Sequence, residues 1–332
     1  MGKNALVIGG SGQLGVAAAN RLARAGWDVT VAHRGQPPAG PTSATTATRS
    51  IRLDHADTGA LLAAARGQDL VLDTAAFDAD NATQLAGLAG DVGSLVVIST
   101  GMLYELAPDA APLAEDAPVI AGAGMSYPAA KARLERALFR VHDLPVSILR
   151  PGAIHGPHTT ELREWFFIKR VFDGRSTALL AEDGGRPLST SAAANVAQLI
   201  LLCAEQPGRR VLNAVDDGAH SPAEIGRAIF ELMRHDAEVR TFAGPPVNGV
   251  GATPWDHWQS GVLSMSAARE QLGYRPAVSY LDSLTADIRW ATDAVTAAQE
   301  RGETWRQVFT HTAARRGERD WFRYAAEDAC AA

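Results

Sequence analysis

The chain has 332 residues, about twice a typical 150-residue domain, which is length enough for one large α/β domain and a smaller companion. A hydrophobic share of 46% and a charged share of 20% are those of a globular protein and exclude disorder, a collagen-like repeat and a coiled coil. Lys and Arg number 31 against 37 Asp and Glu, and the net charge of −6 would repel a phosphate backbone or an anionic leaflet, so neither nucleic acid nor membrane is an expected partner.

The first strand-like run, Ala5-Leu6-Val7-Ile8, begins close to Met1 and leaves no room for an export signal. No run of roughly eighteen apolar residues occurs, so no membrane-spanning helix is expected. Two cysteines occur, Cys203 and Cys330, and the apolar setting of Cys203 fits a reduced core thiol in a cytoplasmic protein.

From about residue 4 to 151 short β-branched runs alternate with longer Ala/Leu/Arg-rich segments. The expected strands are 5–8, 28–32, 49–53, 70–74, 95–99 and 146–149. Their continuous apolar character predicts a doubly wound parallel sheet covered by helices on both faces. Gln36-Pro37-Pro38-Ala39-Gly40-Pro41 and the Ser/Thr-rich stretch after it read as a surface loop. After Pro151 the alternation weakens, most of the tryptophans appear, and Arg210-Val211-Leu212-Asn213-Ala214 stands out as an isolated strand-like run. The expected division is a dinucleotide-binding domain over 1–155 and a smaller, mostly helical substrate part over 156–293, some of which may return to the first domain. A helical extension over 294–332 completes it.

Directly after the first run comes Gly9-Gly10-Ser11-Gly12-Gln13-Leu14-Gly15, followed by a helical segment that Gly26-Trp27 closes. A glycine-rich turn opening a helix lets backbone N–H groups and the helix dipole meet a pyrophosphate at close range. The end of the second strand, where an acid would accept hydrogen bonds from the ribose hydroxyls, reads Val31-Ala32-His33-Arg34-Gly35. A guanidinium there pairs with a 2′-phosphate, so NADP(H) is expected ahead of NAD(H). Asp54, ending the third strand, is positioned to face an adenine amino group.

Tyr127-Pro128-Ala129-Ala130-Lys131 places a phenol and an ammonium four residues apart, on one face of a helix that Ser126 would cap and Pro128 would start. Ser99 and Thr100 end the fifth strand, where open α/β sheets bind their ligands, so either hydroxyl is placed to hold a substrate oxygen. His155 and His158 lack a further ligand at a recognisable spacing, and no metal is expected.

Together the glycine turn, Thr100, Tyr127 with Lys131, Leu149-Arg150-Pro151-Gly152-Ala153-Ile154-His155-Gly156-Pro157, Asn195-Val196-Ala197 and the stretch from Leu272-Gly273-Tyr274-Arg275-Pro276 to Trp290 resemble the extended short-chain dehydrogenase/reductase family, also called the NAD-dependent epimerase/dehydratase family. The resemblance covers residues 4 to about 292. It implies a Rossmann fold, a Thr100/Tyr127/Lys131 catalytic set and cofactor contacts that extend to Ala75, Ala76, Ser99, Pro151, Gly152 and Ile154. Gly101-Met102 follow Thr100 where sugar-nucleotide dehydratases carry Asp-Glu, so that elimination lacks its acid. Ala153 stands where many sugar-nucleotide members have Asn. The expected function is an NADP(H)-dependent reductase or alcohol dehydrogenase acting on a small molecule. A nucleotide-sugar epimerase is the first alternative, and a non-catalytic dinucleotide-sensing or RNA-associated protein the second. Trp255-Asp256-His257-Trp258 and Trp165-Phe166-Phe167 line a pocket or form a core. The aromatic extension must pack either on its own chain or across a homodimer.

Overall fold

A computed structural model describes residues 2–35, 49–105, 112–256, 261–316 and 321–331. Most of the expected loop after residue 35, and His257 with Trp258, lie outside the described residues.

Seven strands form one parallel sheet: β1 (Asn4–Ile8), β2 (Asp28–His33), β3 (Arg49–Arg52), β4 (Leu70–Asp73), β5 (Leu95–Ile98), β6 (Val146–Pro151) and, after three strands outside it, β10 (Arg210–Ala214). Their spatial order is β10-β6-β5-β4-β1-β2-β3, with all pairs parallel. Alternate strand residues serve opposite faces, as the pleat requires. Ala5, Val7, Val29, Leu70, Leu72 and Val96 pack beneath α1 (Gln13–Arg24), α6 (Ala193–Glu205) and α8 (Ser266–Leu272). Leu6, Ile8, Val71, Leu95, Val97 and Ile148 pack against α2 (Thr58–Ala65), α3 (Ala79–Ala86) and α4 (Tyr127–Leu138). The strand-like run at 210–214 is therefore not isolated. It pairs with β6 as the seventh strand, and α6 lies against α1, where Arg21 Nε donates to Gln198 Oε1 at 2.7 Å.

The remaining elements make a second lobe. Strands β7 (Ala153–His155) and β9 (Thr190–Ala192) pair with each other, as do β8 (Thr177–Leu180) and β11 (Glu238–Thr241). Helices α5 (Trp165–Phe172), α7 (Pro222–Leu232) and α9 (Tyr280–Glu300) share an aromatic core with α10 (Trp305–Val308), α11 (Thr310–Arg316) and α12 (Tyr324–Ala331). Trp165, Phe166, Phe167 and Trp255 are buried in that core rather than lining a pocket. Helix α9 runs unbroken past residue 293. Among the described residues no helix is long and apolar enough to cross a membrane.

The C-terminal extension docks on its own chain. Trp305, Phe309, Trp321 and Phe322 are buried against Trp165 and Phe166. Arg170, fully buried on α5, stacks on the Phe166 ring at 3.9 Å, donates to Trp321 O at 3.0 Å and pairs with Glu327. Outside the core, Arg175 pairs with the exposed Asp328. Removing one partner of a buried pair leaves an uncompensated charge, whereas solvent replaces an exposed one. Glu327→Ala is expected to lower unfolding stability by about 3–5 kcal/mol in denaturant titrations, and Asp328→Ala to leave the curve nearly unmoved. Equal effects would contradict the lock.

Candidate functional site

The sheet's strand order reverses between β1 and β4, and the loops leaving those two strands meet there, where open α/β sheets form their ligand crevice. Close approach explains the glycines. A Cβ on Gly9, whose φ is +77°, would lie 2.2 Å from Thr74 Oγ1; one on Gly10 would strike Val31, and one on Gly15 would sit 2.3 Å from Gly9 O. Gly12 caps α1 without a side-chain hydrogen bond, so the first-turn N–H groups and the positive helix end meet a bare backbone cradle. Ser11 and Gly12 are exposed, Leu14 and Gly15 are buried, and Gln13 Nε2 ties the turn to Gly156 O. This is the surface a dinucleotide pyrophosphate requires, and the residues present fit it.

Around that cradle the expected contacts differ in how free they are. Arg34 is exposed at the end of β2. His33 beside it is buried, with Nδ1 on Gly35 O and Nε2 on Ser50 Oγ, both at 2.6 Å, so its ring braces β2 against β3. Asp54 is exposed and accepts from Ala56 N at 3.1 Å. Gly152 gives its N–H to Ser191 Oγ at 2.7 Å, and a Cβ there would meet Ser189 O at 2.2 Å, which makes it a packing position between β6 and β9. Pro151 is buried, whereas Ile154 is only partly covered.

Helix α4 starts at Tyr127, with Ser126 as its cap and Pro128 in its first turn. Its inner face carries Tyr127, Lys131 and Glu135, four residues apart. Lys131 is 4% exposed, and its Nζ donates to Ala76 O at 2.6 Å and Ile98 O at 2.8 Å, the carbonyls at the ends of neighbouring strands. Burial draws the ammonium down to about 8, against an upward push from Asp73 and Glu135. Tyr127 is 42% exposed and its ring centroid lies 5.7 Å from Lys131 Nζ; burial of the phenol raises its pKa, and the nearby Thr100 hydroxyl pulls it back. Thr100 Oγ1 also accepts from Met102 N at 3.1 Å, and the Ser99 hydroxyl is buried without a partner among the described residues. The structure thus brings Thr100, Tyr127 and Lys131 together beside the glycine turn's crevice.

Several acidic groups of this region escaped the sequence reading. Glu135 takes Arg150 in a fork, with Nη2 to Oε2 at 2.6 Å and Nε to Oε1 at 3.1 Å, which pins α4 to β6. Asp73 ends β4 fully buried. At the end of β7, His155 is buried between Asp216 (2.7 Å) and Asp287 (3.2 Å), with Glu164 close by. Asp216 also accepts from Thr190 Oγ1, Ala192 N and Asn195 Nδ2, each at 2.8 Å. Asp216 and Asp287 lie 61 and 132 residues beyond His155, so no local signal announced them. Only Asn195, quoted for its motif, was a pointer.

A family model described as NAD(P)H-binding matches residues 9–207. No curated protein matches the chain. Among solved structures, UDP-N-acetylglucosamine 4-epimerase from Methanobrevibacter ruminantium is 18% identical with a TM-score of 0.73, over 88% of this chain and 99% of that one. UDP-glucuronic acid 4-epimerase from Bacillus cereus, solved with NAD, is 19% identical with a TM-score of 0.69, over 87% and 99%. dTDP-glucose 4,6-dehydratase from Bacillus anthracis, also solved with NAD, is 15% identical with a TM-score of 0.71, over 88% and 97%. At such identities the likeness is one of fold.

The His155 cluster gives stability a pH dependence of definite sign. Burial opposes the imidazolium, but hydrogen bonds to Asp216 and Asp287 outweigh it and raise His155 from 6.5 to about 10. Burial likewise raises Glu164 from 4.5 to about 7. Both groups hold protons in the folded state that the unfolded chain releases, so stability falls as pH rises. The His155 contribution is complete below pH 6.5 and is lost as pH climbs through about 10. Melting temperature is expected to decline over that interval, and His155→Gln, lower at the start, to lose most of the slope. A variant with an unchanged slope would place the alkaline sensitivity elsewhere.

Proposed function

Because the chain belongs to the NAD(P)H-binding family and has the fold of the extended short-chain dehydrogenases/reductases, we propose that it is an NADP(H)-dependent oxidoreductase that interconverts a carbonyl and an alcohol on a small molecule. The observation that carries this reading is the meeting of the Thr100 hydroxyl with the Tyr127 phenol, with the Lys131 ammonium seated behind them. A bound nicotinamide supplies the hydride for reduction or accepts it in oxidation. Tyr127 gives its phenolic proton to the substrate oxygen as the carbonyl becomes an alcohol, and takes it back in the reverse direction. Thr100 holds that oxygen in place. Lys131 stabilises the phenolate left on Tyr127 and binds the nicotinamide ribose.

Two free cysteines, one buried, and a surface of net negative charge support a cytoplasmic protein with a small-molecule partner rather than nucleic acid. A second reading, nucleotide-sugar epimerisation by the same residues, draws support from the epimerases that share the fold. It is distinguished by its balance: an epimerase inverts a sugar carbon with no net consumption of NADPH. A panel of carbonyl compounds followed by NADPH absorbance, with nucleotide sugars followed by NMR, separates the two. On a substrate so identified, Tyr127→Phe is expected to keep cofactor affinity while turnover falls about 10²-fold or more. Unchanged turnover would remove Tyr127 from the chemistry, and no turnover with any substrate would favour a dinucleotide sensor.

The cofactor preference rests on Arg34 standing exposed where an acid would select NAD. NADPH is expected to bind more tightly than NADH in fluorescence titrations, and Arg34→Ala to weaken NADPH alone by about 1–3 kcal/mol. Equal affinities for the two cofactors would return the choice to NAD(H).

A further inference from the structure

The carboxylate of Asp73 has no part in the chemistry above, yet it sits at the strand switch point and is fully buried. An anion so placed must be met by donors. Oδ1 accepts from Ala75 N and Ala76 N, both at 2.8 Å, and Oδ2 from His55 Nε2 at 2.8 Å. The loop gripped in this way returns its own Ala76 carbonyl to Lys131 Nζ at 2.6 Å. One short segment is therefore held by Asp73 on one side and holds the ammonium on the other.

We propose that Asp73 is a positioning residue for Lys131: it fixes the carbonyl on which the ammonium rests and supplies the buried negative charge that keeps Lys131 protonated in a water-poor site. Other groups face the pair. Glu135 lies one turn along α4, but Arg150 already occupies its carboxylate; Tyr127, one turn back, is a neutral phenol at ordinary pH. His55 draws on Asp73 from the opposite side, hydrogen-bonded also to Asn81 and under repulsion from Arg34. Its hydrogen bond to Asp73 raises the His55 pKa, while the field of Asp73 opposes the lowering of Lys131 by burial. His55 and Lys131 are thus two proton-binding groups leaning on one anion, and what is done to either is felt by the other.

What Lys131 is used for rests on the oxidoreductase reading; its coupling to Asp73 does not, and the test needs no substrate. The sequence has three lysines, Lys3, Lys131 and Lys169, so protein labelled with 13C at lysine Cε gives three resonances, and Lys131→Arg assigns one of them. That resonance is expected to titrate near pH 8. In Asp73→Asn, which keeps an acceptor for the two N–H groups but no charge, its midpoint should move down by about one pH unit. An unmoved Lys131 midpoint overturns the proposal; a purely structural Asp73 would lower the melting temperature and leave that midpoint alone. Should Asp73→Asn fail to fold, Lys131→Met approaches from the other end: the His55 midpoint, followed by 15N NMR, is expected to rise, and an unmoved His55 is equally fatal. A chain that reduces no carbonyl yet shows these shifts would sink the oxidoreductase reading alone.

Discussion

The arrangement of the site depends on one buried ion pair, the fork between Arg150 on β6 and Glu135 on α4. Helix α4 meets the sheet through Leu134 and Leu138, and greasy contacts of that kind tolerate a helix that slides or rolls. A charge-assisted fork does not, because a small rotation leaves two desolvated charges unpaired. Tyr127 and Lys131 lie on the face that Glu135 fixes. The same guanidinium donates to Tyr104 Oη at 2.9 Å, and Tyr104 in turn donates to Asn213 Oδ1 at 2.7 Å, so the sheet's last strand, β10, is tied into the network that aims the phenol.

Local patterns were the legible part. The glycine turn, the Tyr127–Lys131 spacing and the strand alternation are each written within a dozen residues, and each reflects a short-range requirement: close backbone approach, one helix face, the pleat. Partners far apart in sequence were not legible. Nothing near residue 210 says that it pairs with β6, since parallel pairing requires no sequence proximity. The ring of His33 meets Ser50 on the adjacent strand, a partner that no local pattern announces. The aromatic runs around Trp165 and Trp255 were equally compatible with a pocket wall or a core, because the same surface suits both, and packing decided for the core.

A buried polar cluster is among the contacts that join the two lobes. His155, at the end of β7, is gripped by Asp216, just beyond β10, and by Asp287 on α9, so it ties the end of the sheet's last strand to the second lobe through hydrogen bonds. Apolar faces would permit gradual sliding there. A hydrogen-bonded histidine between two acids has few alternative positions.

The lock on Arg170 also bears on how the chain comes to be folded. The groups that receive its guanidinium, Trp321 O and Glu327, are synthesised 151 and 157 residues after it. Once Ala214 has been made the sheet has all its strands, while the second lobe still holds an unmatched cation beside uncovered Trp165 and Phe166. Such an intermediate is sticky, and its closure is a non-local event. The nascent chain therefore spends the last third of its synthesis with a complete set of sheet strands tethered to an unfinished aromatic core, the stage at which a chaperone has the most to hold.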